Sequence, residues 1–279
     1  MAEILPLSAA IERLVRTGDS VALEGFTHLI PFAAGHEIIR LGITDLTLIR
    51  MTPDILYDQM IGMGCARRMI FSWGGNPGVG SLHRFRDAVE NGWPRPLEID
   101  EHSHAGMACA YEAGASGLPF GVLRGYIGTD LAARTKGVRS IDCPFTGEKL
   151  AAVSALRPDV AIVHAQCADR SGNVLLEGIV GIQKECVLAA HRSIVTVECI
   201  VDELAPSGAN AIILPGWVVT AVCEVPRGAV PSYTHGYYGR SNAFYKEWDE
   251  ISRDRSRFRA WMEDQILAPQ NQGRDLAVW

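Results

Sequence analysis

Glycine is concentrated in the segment FSWGGNPGVGSLHRF, Phe71 to Phe85. Four glycines fall within seven positions, at Gly74, Gly75, Gly78 and Gly80. Their order is not that of the dinucleotide fingerprint G-x-G-x-x-G, and no lysine follows them as in a phosphate-binding P-loop. Because glycine lets the backbone approach closely, we expect this loop to face an extended ligand or another subunit. The alternative interpretation is that the glycines only allow the backbone to turn tightly.

The run Glu24-Gly25-Phe26-Thr27-His28 ends an apolar segment that is typical of a buried strand. Glu24 is therefore expected near the edge of the core. Thr27 and the neighbouring amides could donate hydrogen bonds to an oxyanion, an interaction that contributes ~3–4 kcal/mol per donor in known enzymes. An ordinary strand-to-helix turn is the alternative interpretation.

The segment IDEHSHAGM contains two adjacent carboxylates and two nearby histidines, Asp100, Glu101, His102 and His104. Neighbouring residues of a strand point to opposite faces, so one of the two carboxylates is expected to face a cleft. Glu101 could equally cap the helix that follows. The histidines have no third ligand at a regular spacing, and we predict no metal site.

Composition excludes several classes of function. The net charge of −6, with no run of basic residues, argues against nucleic-acid binding. No apolar stretch approaches the ~20 residues of a membrane span. The start MAEILPLSAAIERL lacks the features of a signal peptide. Seven scattered cysteines without a CxxC pair are typical of reduced thiols in the cytoplasm, where we expect the protein.

Apolar patterns predict alternating strands and helices, which indicates an open, mostly parallel α/β sheet with helices on both faces. The predicted strands are SVALEGF, DLTLIRM, RMIFSW, PLEID, DVAIVHAQ, SIVTVE, AIILP and WVVTAVCEV. The predicted helices are the segment around Ile11–Val15, HEIIRLG, PDILYDQMIGMG, SLHRFRDAVENG, the segment from about 104 to 115, GEKLAAVSALRP and SNAFYKEWDEISRDRSRFRAWMEDQIL. The last helix should dock outside a single domain, 1–279, with 268–279 a loose tail.

Long segments of the chain resemble the A (alpha) subunits of family I CoA-transferases. They are ALEGFTHLIP, LTLIRMTPD, FSWGGNPGVGSLHRFRDAVE, LEIDEHSHA, GASGLPF, CPFTGE, PDVAIVHAQ, DRSGNVLL, IVTVE and PSYTHGYY. The likeness is nearest to members that act on 3-oxoadipate in aromatic catabolism, the β-ketoadipate pathway. Members that act on glutaconate are more distantly similar.

The resemblance implies ping-pong transfer of CoA from succinyl-CoA to 3-oxoadipate. A glutamate attacks the thioester, an acyl-glutamyl anhydride and then a glutamyl-CoA thioester form, and the second acid reverses these steps. In two-subunit members this glutamate belongs to the B (beta) subunit, the implied partner. CoA thioesters and a small dicarboxylic acid are then substrates, with no permanently bound cofactor. The implied binding or oxyanion residues are Gly25, Phe26, Thr27, His28, Ser72, Gly74, Gly75, Asn76 and Gly78.

The match to the family signature of the A chain is incomplete. Gly25, Phe26 and Pro31 keep its outline, but Glu24 replaces the first glycine of a pair, a later glycine is missing and the spacing is one residue short. The resemblance therefore implies an oxyanion role for this turn without fixing its exact contacts, and the family assignment rests on the longer segments.

Two other functions compete with CoA transfer. The stretch Glu98-Ile99-Asp100-Glu101 fits the E-x-D-E outline of a related ring-opening hydrolase, in which Glu101 would be a general base rather than a supporting group. A ligand-sensing domain is the second rival, but about 20 residues before the first strand are too few for a helix-turn-helix. For the remote carboxylate of a substrate, the sequence offers Arg50, Arg84 and Arg124.

Overall fold

The computed structural model describes residues 2–206 and 208–268. The strands are β1 (Glu3–Ile4), β2 (Ser20–Glu24), β3 (Leu46–Ile49), β4 (Ala66–Phe71), β5 (Glu98–Glu101), β6 (Phe120–Leu123), β7 (Val138–Asp142), β8 (Lys149–Ser154), β9 (Val160–Asp169), β10 (Val174–Leu176), β11 (Arg192–Val201), β12 (Ile212–Leu214) and β13 (Ala221–Glu224). The helices are α1 (Leu7–Leu14), α2 (Phe32–Arg40), α3 (Ile55–Gly62), α4 (His83–Glu90), α5 (His104–Ala115), α6 (Asp130–Arg134), α7 (Gln183–Ala189), α8 (Asn242–Arg253) and α9 (Arg255–Met262).

The main sheet is open and mostly parallel, as predicted. Its strand order is β1-β13-β11-β9-β2-β3-β4-β5, and every neighbouring pair on this path is parallel. β10 pairs antiparallel with β9 and β12. The carboxyl ends of the parallel strands share one edge, where ligands bind in open α/β sheets.

Helices cover both faces of this sheet because both faces of its strands are apolar. One core joins residues of α1, α2 and α3 to Phe244, Trp248 and Phe258 from the C-terminal helices. The other core joins Met107 and Tyr111 of α5 to Cys186 of α7. The C-terminal segment therefore docks on one outer face of the sheet, as the sequence predicts.

One predicted helix is wrong. GEKLAAVSALRP contains strand β8, which pairs antiparallel with β6 on one side and β7 on the other. The alanines of this segment favour a helix, but pairing on both edges and a small core around Val138, Ala151 and Val153 override that preference. The sequence patterns also missed β1, β6, β7, β10, α6 and α7.

The long C-terminal helix is interrupted. Asp254 is extended and its side chain accepts a hydrogen bond from the Arg257 amide, so α8 ends and α9 begins there. A π-helical turn, Glu263–Leu267, follows. The segment WVVTAVCEV begins with a 3-10 turn, Gly216–Val218, before β13.

Of the tail predicted over 268–279, residues 269–279 lie outside the described residues. The assignment of 1–279 to a single domain stays a prediction. Within residues 2–206 and 208–268, no helix combines the length and the apolar character needed to cross a bilayer.

Candidate active site

A pocket of about 300 Å³ opens at the carboxyl ends of β2, β3 and β4. The turns after these strands form most of it, and the start of α5 and the segment that enters α8 complete it. Its apolar walls are Phe26, Ile30, Trp73 and Pro77. Its charged groups are Arg50, Asp54 and Arg240. An apolar cavity with a few fixed polar groups is typical of a small-molecule site.

The turn after β2 is tightly folded. Thr27 and Leu29 have positive φ angles of 61° and 54°, a conformation that is costly for side chains other than glycine. A Cβ atom at Gly25 would lie 2.7 Å from the Leu29 carbonyl oxygen, so only glycine fits there. This folding places Phe26 and Thr27 in the pocket wall.

Arg50 and Asp54 form a buried ion pair beside this turn. Arg50 Nη1 lies 2.9 Å from Asp54 Oδ1, and Arg50 Nη2 donates to the Gly25 carbonyl at 2.9 Å. Asp54 also caps α3 by accepting from the Leu56 amide, and it accepts from the Tyr245 hydroxyl at 3.4 Å. The two charges of the pair therefore neutralise each other, although Arg50 Nε has no hydrogen-bond partner among the described residues.

Glu24 lies beneath the pocket and does not line it. Its Oε1 accepts from the Met51 amide at 2.9 Å and from the Tyr111 hydroxyl at 3.0 Å. Burial raises the pKa of this carboxyl above its ordinary value, against an opposing effect of nearby Arg50. In this position Glu24 holds the ends of β2 and β3 together.

The glycine loop is a closed turn. The Asn76 amide donates to the Gly80 carbonyl and the Gly80 amide donates back to the Asn76 carbonyl. The buried Asn76 side chain donates to the Tyr245 carbonyl at 2.7 Å, which ties the loop to α8. The Ser72 hydroxyl donates to the Met51 carbonyl and links the loop to the end of β3.

Among the glycine-loop candidates, none of Ser72, Gly74, Gly75, Asn76 and Gly78 lines the pocket itself. Two of their neighbours do, Trp73 and Pro77. At Gly75, an added Cβ atom would lie 2.7 Å from the Trp73 ring, which is too close for a side chain. Gly78 has a positive φ of 80°, a conformation that favours glycine. The glycines shape the backbone that presents Trp73 and Pro77.

The polar residues at the end of β5 and just after it lie in different environments. Asp100 is buried and pairs with Arg68, whereas Glu101 is exposed and does not line the pocket. Ser103, not Glu101, caps α5 by accepting from the Gly106 amide. His104 is the residue of this segment that reaches the pocket.

The two histidines of this segment do not converge on a common point with other ligands. His102 Nδ1 is 3.0 Å from the Tyr126 hydroxyl. No group of three or more His, Cys, Asp or Glu side chains is placed to hold a metal ion in the part of the chain that the structure describes.

His28 is buried next to the pocket turn and does not line the pocket. Its ring packs 4.8 Å from that of Tyr233. Neither ring nitrogen makes a hydrogen bond of good geometry within the described residues, although the Ile179 backbone is close enough to favour the protonated ring slightly. Burial lowers the pKa of His28 to about 4, so the ring is neutral near pH 7. Its position is that of a packing residue behind Thr27.

Of the three arginines named from sequence, only Arg50 reaches the pocket. Arg84 lies on α4 and pairs with Asp87. Arg124 is exposed and pairs with Glu148.

Sequence reasoning missed Arg240 and Tyr245. The guanidinium carbon of Arg240 lies 3.8 Å from the centre of the Tyr245 ring, and both residues line the pocket. The run PSYTHGYYGR, which ends at Arg240, stands out in the sequence only as a loop rich in tyrosine and glycine.

Comparison with known proteins relates this chain to one enzyme family. Residues 5–225 match the family model described as coenzyme A transferase. The chain is 64% identical over 267 residues to the A subunit of 3-oxoadipate CoA-transferase from Pseudomonas knackmussii, a match that covers 95% of this chain and 94% of that protein. It is 35% identical over 286 residues to the A subunit of glutaconate CoA-transferase from Acidaminococcus fermentans, covering 96% and 88%.

A solved structure agrees with the sequence matches. The crystal structure of glutaconate coenzyme A-transferase from Acidaminococcus fermentans superposes with a TM-score of 0.89 at 32% identity, covering 95% of this chain and 89% of that chain. The open, mostly parallel sheet is therefore common to both proteins.

Proposed function

The chain belongs to the coenzyme A transferase family, and we propose that it is the A subunit of an enzyme that transfers CoA from succinyl-CoA to 3-oxoadipate. The products are 3-oxoadipyl-CoA and succinate. The identity of 64% to the A subunit of 3-oxoadipate CoA-transferase, over nearly all of both chains, supports 3-oxoadipate as the acid. Succinyl-CoA as the CoA donor is what the family resemblance implies. CoA thioesters are substrates in this account and no resident cofactor is required.

One observation supports a site shared with a B subunit. Transfer needs a carboxylate nucleophile that is free to attack a thioester. Among the described residues that line the pocket, Asp54 is the one carboxylate, and it is held by Arg50, Leu56 and Tyr245. A locked carboxylate is a poor nucleophile, so we infer that the attacking glutamate comes from the B subunit.

The remaining carboxylates near the pocket do not replace that nucleophile. Glu24 is buried behind the pocket wall with its Oε1 accepting two hydrogen bonds. Glu101 is exposed beyond the lining residues. In this proposal Glu24 supports the turn structurally, and Glu101 is a supporting polar residue.

The chain's own contribution is to bind and orient the acyl group. Phe26, Ile30 and Trp73 supply apolar walls that exclude water from an anhydride, which water would otherwise hydrolyse. Thr27 lies at the pocket surface in a strained conformation, where its backbone and hydroxyl are candidates for stabilising the tetrahedral oxyanion.

The location of the covalent intermediate tests this proposal. The complex of this chain with the B subunit is incubated with succinyl-CoA and no acceptor, quenched in acid, and the intact mass of each polypeptide is measured. We expect a CoA adduct on the partner polypeptide and none on this chain. An adduct on this chain, or steady loss of succinyl-CoA with no acceptor acid, would contradict the proposal; the second result would favour the hydrolase.

A further inference from the structure

Arg240 brings a positive charge to the pocket that no acidic side chain of the described residues neutralises. Its hydrogen bond is to a neutral group, since Nη2 donates to the Pro77 carbonyl at 2.8 Å. Its Nε atom is buried and has no hydrogen-bond partner among the described residues. The Nη1 group makes no hydrogen bond among the described residues and is not buried, so its donors are available for an incoming anion, whereas Nε has too little accessible surface to be reached.

The Arg240 guanidinium is held in a fixed orientation. Its central carbon lies 3.8 Å from the centre of the Tyr245 ring, which is the stacked arrangement of a cation over an aromatic face. The hydrogen bond from Nη2 to the Pro77 carbonyl fixes one edge of the planar guanidinium group. Tyr245 is buried and held through its own carbonyl by Asn76, so its ring is a rigid support. A pre-oriented guanidinium loses little entropy on binding a carboxylate.

The other charges of the pocket cancel. Arg50 and Asp54 form an ion pair 2.9 Å long, and each is about 1% exposed. With His104 counted as neutral, the lining residues therefore carry one net positive charge, on Arg240. The apolar walls around it strengthen its attraction for an anion, because the local dielectric constant is lower than that of water.

We propose that Arg240 binds the remote carboxylate of a dicarboxylic acyl group and so selects dicarboxylic over monocarboxylic acids. This role rests on the proposed transferase function, whose two acids each carry a second carboxylate. The three arginines suggested by the sequence are not suited to bind this carboxylate. Arg50 is neutralised by Asp54, and Arg84 and Arg124 lie outside the pocket. A site built to pair with a charged group discriminates strongly against an analogue that lacks it.

The test compares two acceptor acids that differ only in the remote carboxylate, 3-oxoadipate and 3-oxohexanoate. The wild-type complex with the B subunit is compared with Arg240→Met, which keeps the apolar length of the side chain, and with Arg240→Lys, which keeps its charge. The control is Arg227→Met, because Arg227 also lies over a tyrosine ring, Tyr238, and also has an unpartnered buried Nε among the described residues, but it does not line the pocket.

We expect Arg240→Met to lower kcat/KM for 3-oxoadipate by on the order of 100-fold and to change the value for 3-oxohexanoate by less than about threefold. Arg240→Lys should recover part of the loss, and Arg227→Met should keep the wild-type preference. An equal loss for both acids would show a structural role only and would overturn the proposal, as would no loss for either.

Failure of the proposed function is distinguishable from failure of this inference. If the wild-type complex uses neither 3-oxo acid, the substrate assignment is wrong, and the variants are compared on glutarate against pentanoate. The Arg240 proposal then survives only if the wild type prefers the dicarboxylic acid and Arg240→Met loses that preference. Any other result overturns it.

Discussion

Arg50 and Asp54 pair at 2.9 Å and join three segments that form the pocket. Arg50 follows β3 and donates to the Gly25 carbonyl after β2, while Asp54 caps α3 and meets the Tyr245 hydroxyl from α8. This arrangement makes the pair a structural part of the pocket and leaves Arg240 as its uncompensated charge.

Removing Arg50 should destabilise the protein strongly, because Asp54 would remain buried without its counter-charge. We expect Arg50→Met to lower the free energy of unfolding by about 3–5 kcal/mol in denaturant titrations. The double variant Arg50→Met/Asp54→Asn should lose less than the single variant. Arg13→Ala, which breaks the exposed pair with Glu3, is the control and should cost at most about 1 kcal/mol. Equal effects of Arg50→Met and Arg13→Ala would refute the buried-pair interpretation.

His28 should make the protein sensitive to acid. Burial lowers its pKa from 6.5 to about 4, so below pH 6.5 the unfolded chain binds a proton that the folded chain does not. The stability that His28 contributes is therefore present above pH 6.5 and is lost as the pH falls towards 4, by about 3 kcal/mol in total.

The variant His28→Leu isolates this contribution. Unfolding free energies of both proteins are measured at pH 7.5 and pH 4.5, and the wild type should lose more stability than the variant. His36, whose pKa burial lowers to about 3, adds the same acid loss to both proteins and cancels in the difference. Parallel losses in the two proteins would show that His28 does not titrate as described.

Gly25 should not tolerate a side chain. A Cβ atom would lie 2.7 Å from the Leu29 carbonyl and 2.9 Å from the Ile30 Cα, so the turn that carries Thr27 would have to move. We expect Gly25→Ala to cost about 1–3 kcal/mol of stability and to lower kcat at least about tenfold. Gly137→Ala is the control, since the nearest atom to its added Cβ would be 3.6 Å away, and it should leave both values unchanged. If Gly25→Ala kept the wild-type kcat, the conformation of this turn would not be important for catalysis.

The kinetics of a Glu101 variant distinguish the transferase activity from the hydrolase activity. It is exposed and outside the lining residues, so Glu101→Gln should lower the rate of CoA transfer by less than about tenfold. Thioester loss in the absence of an acceptor should stay near background in both proteins. A fall in kcat of more than about 1,000-fold would make Glu101 a catalytic base and revive the hydrolase interpretation.

The sequence predicts the main sheet well because its strands are short apolar runs separated by helices. It fails at β8, where alanine-rich residues favour a helix and only pairing with β6 and β7 makes a strand. Such pairing depends on distant parts of the chain, which local patterns do not report. The break at Asp254 was missed because a single capping residue interrupts an otherwise continuous helical pattern.

The site is predictable in part. The turn after β2 and the glycine loop follow from their residue types and from the rule that ligands bind at strand carboxyl ends. Arg240 does not follow from such patterns, because it meets Pro77 across 163 positions of sequence. The sequence therefore named three other arginines for the remote carboxylate, and the fold brings only Arg50 of these to the pocket, with its charge already neutralised.

The most direct test of the split site measures CoA transfer from succinyl-CoA to 3-oxoadipate by this chain on its own, by the B subunit on its own and by the two together. If this chain supplies a binding pocket without a free nucleophile, 3-oxoadipyl-CoA should form only in the mixture. Transfer by this chain on its own at a comparable rate would contradict that division and would assign the nucleophile to a carboxylate of this chain.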